Sequence, residues 1–201
     1  MLGISLSESA EAEIMDWADD IAYAVHDTED FFRAGFIPLD RLLADPAEGD
    51  LLPEEAAEFV DGTFAGWSTG FRPVRDHSDE DLREAFANLL EFLREAMQIT
   101  EPYRGTLVQR ANLCGLTSAL ITRYVDAIQL REPSEAAPRL VAIMPEADRE
   151  ITMLKQLTWY YVIHRPSLAA QQFGQRRVVG DLFDIIHEAS LETRRCCRRP
   201  P

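Results

Sequence analysis

Three side chains near the start of the chain have types and spacing suited to chemistry: Asp19, Tyr23 and Asp27. They recur at i, i+4 and i+8, which places them in one row if the segment is helical. Two carboxylates and a phenol at the edge of an apolar face suit a metal ion or a polar ligand. Acidic residues on an amphipathic helix are also the ordinary make-up of a solvated face. Spacing alone leaves both readings open.

The element that must position this row is the stretch Glu13 to Asp30. Ile14, Trp17, Ala18, Ile21, Ala22 and Val25 recur at intervals of three and four, which predicts a helix with that face buried. Ser7 or Ser9 is placed to cap it, and Glu8, Glu11 and Glu13 sit in or near its first turn. It is expected to run to about Arg33, ended by Gly35 and Pro38. A short helix over Pro38–Leu43 follows, then one over Glu54–Val60. Asp61–Pro73, with three glycines and three aromatics, reads as an irregular packed loop.

Asp76 or Ser78 is placed to cap the next helix, which carries the apolar stripe Leu82, Phe86, Leu89, Leu90 and Leu93 and ends near Ile99. Arg83 and Arg94 are read as solvating its outer face. Long helices are expected over about 106–129, 146–162 and 167–193. Pro133 and Pro138 bracket a connector, and Pro166 separates the last two helices. No strand-like alternation and no internal repeat is present, so the chain reads as all-α.

With 201 residues and 46% hydrophobic content, the chain can build one domain core. A formal charge of −15 opposes binding to a nucleic-acid backbone. A free nucleotide remains compatible, because local cations override global sign. The cysteines Cys114, Cys196 and Cys197 lack zinc or C-x-x-C spacing. Cys114 is expected in the core, and all three are read as reduced thiols of a cytoplasmic protein. No run is long enough to cross a membrane, and the first residues do not form a secretory signal.

Met15-Asp16-Trp17-Ala18-Asp19-Asp20-Ile21-Ala22-Tyr23, followed by His26-Asp27 and Glu29-Asp30-Phe31, resembles the segment that closes the metal site of the HD-domain dGTP triphosphohydrolases. The Arg33–Leu39 stretch continues the likeness. Leu154–Ile163 and Gln171–Val179, with Leu182-Phe183, resemble the phosphohydrolase-associated region of the same family. Thr117–Tyr124 falls where that family has a helix ending in Thr-Asp-Arg-Tyr, but Thr122 stands here without the acidic residue. The likeness covers about residues 8–43 and 100–190.

The resemblance implies an irregular helical bundle of the HD-domain type. It divides the chain into 1–45, the last metal-ligand helix and following turn; 46–99, a helical connector; 100–193, the phosphohydrolase-associated region; and 194–201, a disordered basic tail. It makes Asp19 a metal ligand, with Asp20 the neighbour if the register slips by one, and Tyr23 and Asp27 nucleotide contacts. Arg104, Arg110, Arg123, Arg176 and Arg177 are further candidates, because guanidinium forks match phosphates; the alternative for each is an ion pair within an acidic chain. The implied reaction is dGTP and water to deoxyguanosine and triphosphate, with dGTP or another dNTP as ligand and Mg or Mn as the metal.

The family's upstream His and His-Asp ligands have no counterpart before Asp19, and His26-Asp27 falls too late in the chain to replace them. His77, His164 and His187 read as isolated structural or surface residues. The resemblance therefore implies the C-terminal portion of such an enzyme, with its catalytic half absent and no metal bound by this chain alone. A homo-oligomer or assembly with a catalytic half is expected. The competing reading is a non-catalytic helical subunit that assembles with a full-length homologue. Under the first reading the Ile14, Trp17, Ile21 and Val25 face is expected to lack cover within the chain.

Overall fold

A computed structural model describes residues 9–69, 77–97, 99–132 and 140–197. Two compact units are present, Met1–Val162 and Ile163–Pro201. The first holds helices α1 (Ala10–Arg33), α2 (Leu39–Leu42), α3 (Glu54–Thr69), α4 (Asp79–Ala96), α5 (Leu107–Val125) and α6 (Pro145–Thr158). A π-helical turn over Trp159–Ile163 leads into the second unit, the single helix α7 (Pro166–Cys197). The fold is all-α, with one small addition: strands β1 (Ile128–Leu130) and β2 (Val141–Ile143) pair antiparallel, Gln129 opposite Ala142.

The helix ends follow local chemistry. Ser9 accepts a hydrogen bond from the Ala12 N–H at 3.3 Å, and Ser78 from the Asp81 N–H at 3.1 Å. Thr106 and Gln109 form a capping box at the start of α5. α1 closes in a Schellman motif: the Phe36 N–H reaches the Phe31 carbonyl at 2.8 Å, and the Gly35 N–H reaches that of Phe32 at 2.9 Å. Gly35 sits at φ 74°, the left-handed conformation that this closure needs.

α1 packs against α5 and α6, and α6 also against α4. The buried stripe of α1 is Trp17, Ile21, Ala24, Val25, Thr28 and Phe32. Ile14, Ala18 and Ala22, expected in that stripe, are exposed instead. Ala18 and Ala22 face outward because Trp17, Val25 and Phe32 bury more apolar area than alanines and set the rotation; Ile14, at the helical angle of Phe32, is left exposed near the helix start. The expectation of an uncovered face is corrected with it: Trp17 is 5%, Ile21 4% and Val25 0% exposed. Trp17 Nε1 donates to the Tyr124 carbonyl at 2.9 Å.

α6 is the centre of this unit, buried almost all round from Glu150 to Leu154. Glu150 is 0% exposed and takes both arms of Arg123, at 2.8 and 2.7 Å. The Arg123 guanidinium also lies 4.8 Å from the Phe92 ring centroid on α4. Glu13 Oε2 accepts from the Val141 N–H at 2.8 Å and ties the β ribbon to α1.

Several boundaries differ from the sequence reading. α3 continues through Gly62 and Gly66 to Thr69 where a loop was expected. A Cβ at Gly62 would lie 2.6 Å from Tyr160 Cε2, so this glycine lets an aromatic ring press on a helix and does not mark a turn. Tyr160 and Tyr161 form with Phe59 and Phe86 an aromatic cluster, with Phe59 5.2 to 6.0 Å from the other three rings. α4 stops at Ala96 and α5 at Val125, short of Ile99 and Gln129, because the following residues leave helix for extended chain and β1. Arg83 is paired with Asp61 at 2.6 Å, and Arg94 is half-buried, so neither simply solvates α4. His77 is not isolated: its Nε2 lies 2.7 Å from Asp148.

Cys114 is exposed on α5, because Leu113, Leu116 and Leu120 take the inner face. α7 runs through Arg194 and Arg195 to Cys197, where the tail was expected to begin; arginines are good helix formers and suit a helix C-terminus. Residues 70–73, Asp76, the 133–138 connector and 198–201 lie outside the described residues.

Arg123→Met leaves a buried carboxylate unpaired and is expected to cost about 3 kcal/mol by urea denaturation, most of it recovered in the double variant with Glu150→Leu. Gly62→Ala is expected to destabilise by about 1 kcal/mol, overpacking exceeding the propensity gain. Gly66→Ala, whose Cβ meets nothing within 4 Å, is expected to stabilise by about as much.

Candidate functional site

The outward side of α1 carries the candidate row. Successive residues turn by about 100°, so Tyr23 lies about 40° and Asp27 about 80° around the axis from Asp19. All three fall on the side opposite the buried stripe. Asp19 is exposed, Tyr23 is 46% exposed, and Asp27 is half-buried. Met15, Ala18 and Ala22 flank the row and are exposed, so an apolar and small-residue strip runs beside the acids.

The phenol of Tyr23 and the carboxylate of Asp27 are one helical turn apart and interact. Burial holds the Tyr23 pKa above its ordinary value, and the negative charge of Asp27 and the hydrogen bond to it add to this. Tyr23 is thus a neutral donor at physiological pH. Burial likewise raises Asp27, with the Asp30 carboxylate adding to it; the Tyr23 hydrogen bond and the charge of His26 oppose. Because folded Asp27 keeps its proton longer than the unfolded chain does, its contribution to stability falls as pH rises through the carboxylate range.

Asp20 is about 100° from Asp19, on the side toward α6, and pairs with Lys155 of that helix. Asp20 is thus engaged within the fold, and Asp19 is exposed. On the opposite flank, Glu29 accepts from the Thr117 hydroxyl of α5 at 2.5 Å.

Among the described residues of the first unit, no arginine candidate is bonded to the row. Arg123 is committed to Glu150, and the hydrogen bonds it donates to that carboxylate raise its pKa further. Arg104 is exposed and lies 3.8 Å from Glu101. Arg110 is exposed on α5. Arg176 and Arg177 are exposed on α7, in the other unit. Lys155 was not singled out from the sequence, although it is the only lysine in the chain, which was the available signal.

Metal binding can be tested against the donor set. Among the described residues, no group of three His, Cys, Asp or Glu side chains is placed to hold a metal ion. Asp19 offers one carboxylate, His26 is exposed on the same helix, and a single carboxylate does not retain a divalent ion. The described residues alone therefore do not fit a metal centre.

A cleft of about 1100 Å³ lies elsewhere, beside α2 and α3. Asp40, Asp45, Asp50, Glu54, Glu55 and Glu58 line it, against Arg41 and Arg83. Arg41 is drawn to Glu55 at 3.2 Å, which also accepts from the Tyr161 hydroxyl at 2.7 Å. So acidic a wall repels phosphates, and the row on α1 does not contribute to it.

The balance at Asp27 is testable by carboxylate 13C NMR. Tyr23→Phe removes a contact that lowers the Asp27 pKa, so its titration midpoint is expected to move up. Asp30→Asn removes a repelling charge, so the midpoint is expected to move down.

Comparison with known proteins adds to this geometry. The phosphohydrolase-associated domain family matches residues 141–194, which include β2, α6 and most of α7. The chain is 34% identical over 192 residues to a deoxyguanosinetriphosphate triphosphohydrolase-like protein of Corynebacterium efficiens, covering 90% of this chain and 40% of that protein. A protein of the same description from Streptomyces coelicolor is 31% identical over 190 residues, covering 88% and 39%. One from Shewanella sp. (strain ANA-3) is 26% identical over 184 residues, covering 89% and 33%. The chain thus spans about 40% or less of the length of these relatives. No solved structure matches.

Proposed function

We propose, on the premise that the chain corresponds to the C-terminal portion of a deoxyguanosinetriphosphate triphosphohydrolase-like protein, that it forms part of a metal-dependent dGTP triphosphohydrolase. The reaction is dGTP and water to deoxyguanosine and triphosphate. The observation that carries this reading is the outward row of Asp19, Tyr23 and Asp27 on a helix whose opposite face is buried. In it Asp19 is one ligand of a Mg or Mn ion whose other ligands lie outside the described residues. Tyr23 and Asp27 contact the nucleotide, the phenol as a neutral donor and the carboxylate as an acceptor.

No chemical step is assigned to the metal, because the described residues hold only one of its ligands. What this chain supplies is position. α1 is pinned by Trp17 and by the Asp20–Lys155 pair, so the row is presented from a rigid element.

A second reading is a non-catalytic subunit that assembles with a full-length homologue. The exposed apolar side chains of α7, among them Phe173, Leu182, Phe183 and Ile186, favour it.

The two readings part in one assay, deoxyguanosine release from dGTP with Mg or Mn, using the protein expressed from its native gene with whatever is encoded in frame upstream. Under the first reading Asp19→Ala is expected to lower kcat by more than about a hundredfold, the scale on which even outer partners of metal ligands act. Activity unchanged in Asp19→Ala overturns it. Under the second, the chain has no turnover of its own but shifts the rate of an added full-length relative, saturating with concentration.

A further inference from the structure

The chain has nineteen arginines and one lysine, and that lysine stands at the rim of the α1 row. Asp20, its partner, is about 60° around the helix from Tyr23 and about 20° from Asp27. α6 therefore borders the row on the Asp27 side, and Lys155 is the cation it brings there. The Lys155 side chain remains 24% exposed. An ammonium has three N–H donors, and Asp20 is its one hydrogen-bond partner among the described residues.

The charge of the row makes a cation necessary for any phosphate-bearing ligand. Asp16, Asp19, Asp20, Asp27 and Asp30 all lie on its side of α1. Of the α5 arginines, Arg110 lies on the N-terminal side of Thr117, which meets Glu29 about 180° around the axis from Asp20. Arg123 is in any case held by Glu150. A lysine also suits the task mechanically, because a point charge on a flexible stem can turn between a carboxylate and a phosphate, whereas a forked pair such as Arg123–Glu150 is fixed.

We propose that Lys155, held at the rim of the row by Asp20, is a phosphate-contacting residue of this site, binding the triphosphate of a nucleotide whose nucleoside lies over Tyr23 and Asp27. This rests on the nucleotide reading above and names the residue that reads the phosphates.

The single lysine makes the test direct. Reductive 13C-methylation keeps the charge and labels only Lys155 and the terminal amine, the Lys155 signal being the one absent from Lys155→Gln. The labelled chain is titrated with deoxyguanosine, dGTP and inorganic triphosphate, while the Tyr23 ring signals, assigned with Tyr23→Phe, report the nucleoside. The expected result is that dGTP and triphosphate move the Lys155 signal, that deoxyguanosine does not, and that both dGTP and deoxyguanosine move Tyr23. Lys155→Gln is expected to weaken dGTP by about tenfold or more and Lys155→Arg by less, with deoxyguanosine affinity retained. A Tyr23 response to dGTP with a silent Lys155 overturns the proposal and leaves the nucleotide reading standing. Silence of Tyr23 toward both nucleoside and nucleotide overturns the nucleotide reading, and this proposal with it. The labelled wild-type chain decides the question even where Lys155→Gln disturbs the α1–α6 contact.

Discussion

A carboxylate with no exposure to water must be neutralised where it stands, and Glu150 sets that condition for the whole first unit. Arg123 meets it with both arms and lies across Phe92 of α4. The next residue, Tyr124, is itself fully buried, its phenol held far above its ordinary pKa by burial and by the charge of Glu150. Its carbonyl takes the indole N–H of Trp17 on α1. Two consecutive residues of α5 thus fix α6, α4 and α1 at once. A one-residue slip of any of these helices would strand a charge or an indole donor, and stranding either is costly. The face that α1 turns to solvent follows from this lock.

Much of the fold was legible because helices announce themselves by period. The α4 stripe of Leu82, Phe86, Leu89, Leu90 and Leu93 is buried as its spacing requires. The caps at Ser9 and Ser78 come from residue types that compete for free N–H groups, and the unread cap at Thr106 is of the same kind. What could not be read was rotation. The alanines of α1 matched the apolar period, yet Ala18 and Ala22 face out, because an alanine contributes little to either side and larger neighbours decide the angle. Gly62 misled for a related reason: a turn and a close approach both call for glycine, and only the ring of Tyr160 distinguishes them.

The candidate site was legible in part. A row at i, i+4 and i+8 is a local property, and the outward position of Asp19, Tyr23 and Asp27 needs only helical geometry. Which cations accompany it is a long-range property. Arg123 is 27 residues from its partner and Lys155 is 135 from Asp20, distances over which no spacing rule operates. An arginine count therefore pointed to many phosphate binders. The fold instead occupies one of them internally, leaves others exposed on separate elements, and brings a lysine to the row. In a chain this acidic, most basic residues have an anionic neighbour to satisfy first.

Having one lysine also gives the chain one bond that a lysine-specific protease can cut. That bond, from Lys155 to Gln156, lies in the most deeply buried of the described helices, where Leu154 and Gln156 on either side of Lys155 are both buried. A protease cannot thread a helix packed on two sides, so cleavage waits for α6 to leave its neighbours. Proteolysis of this chain by such an enzyme reads the opening of its centre and is blind to fraying at its edges.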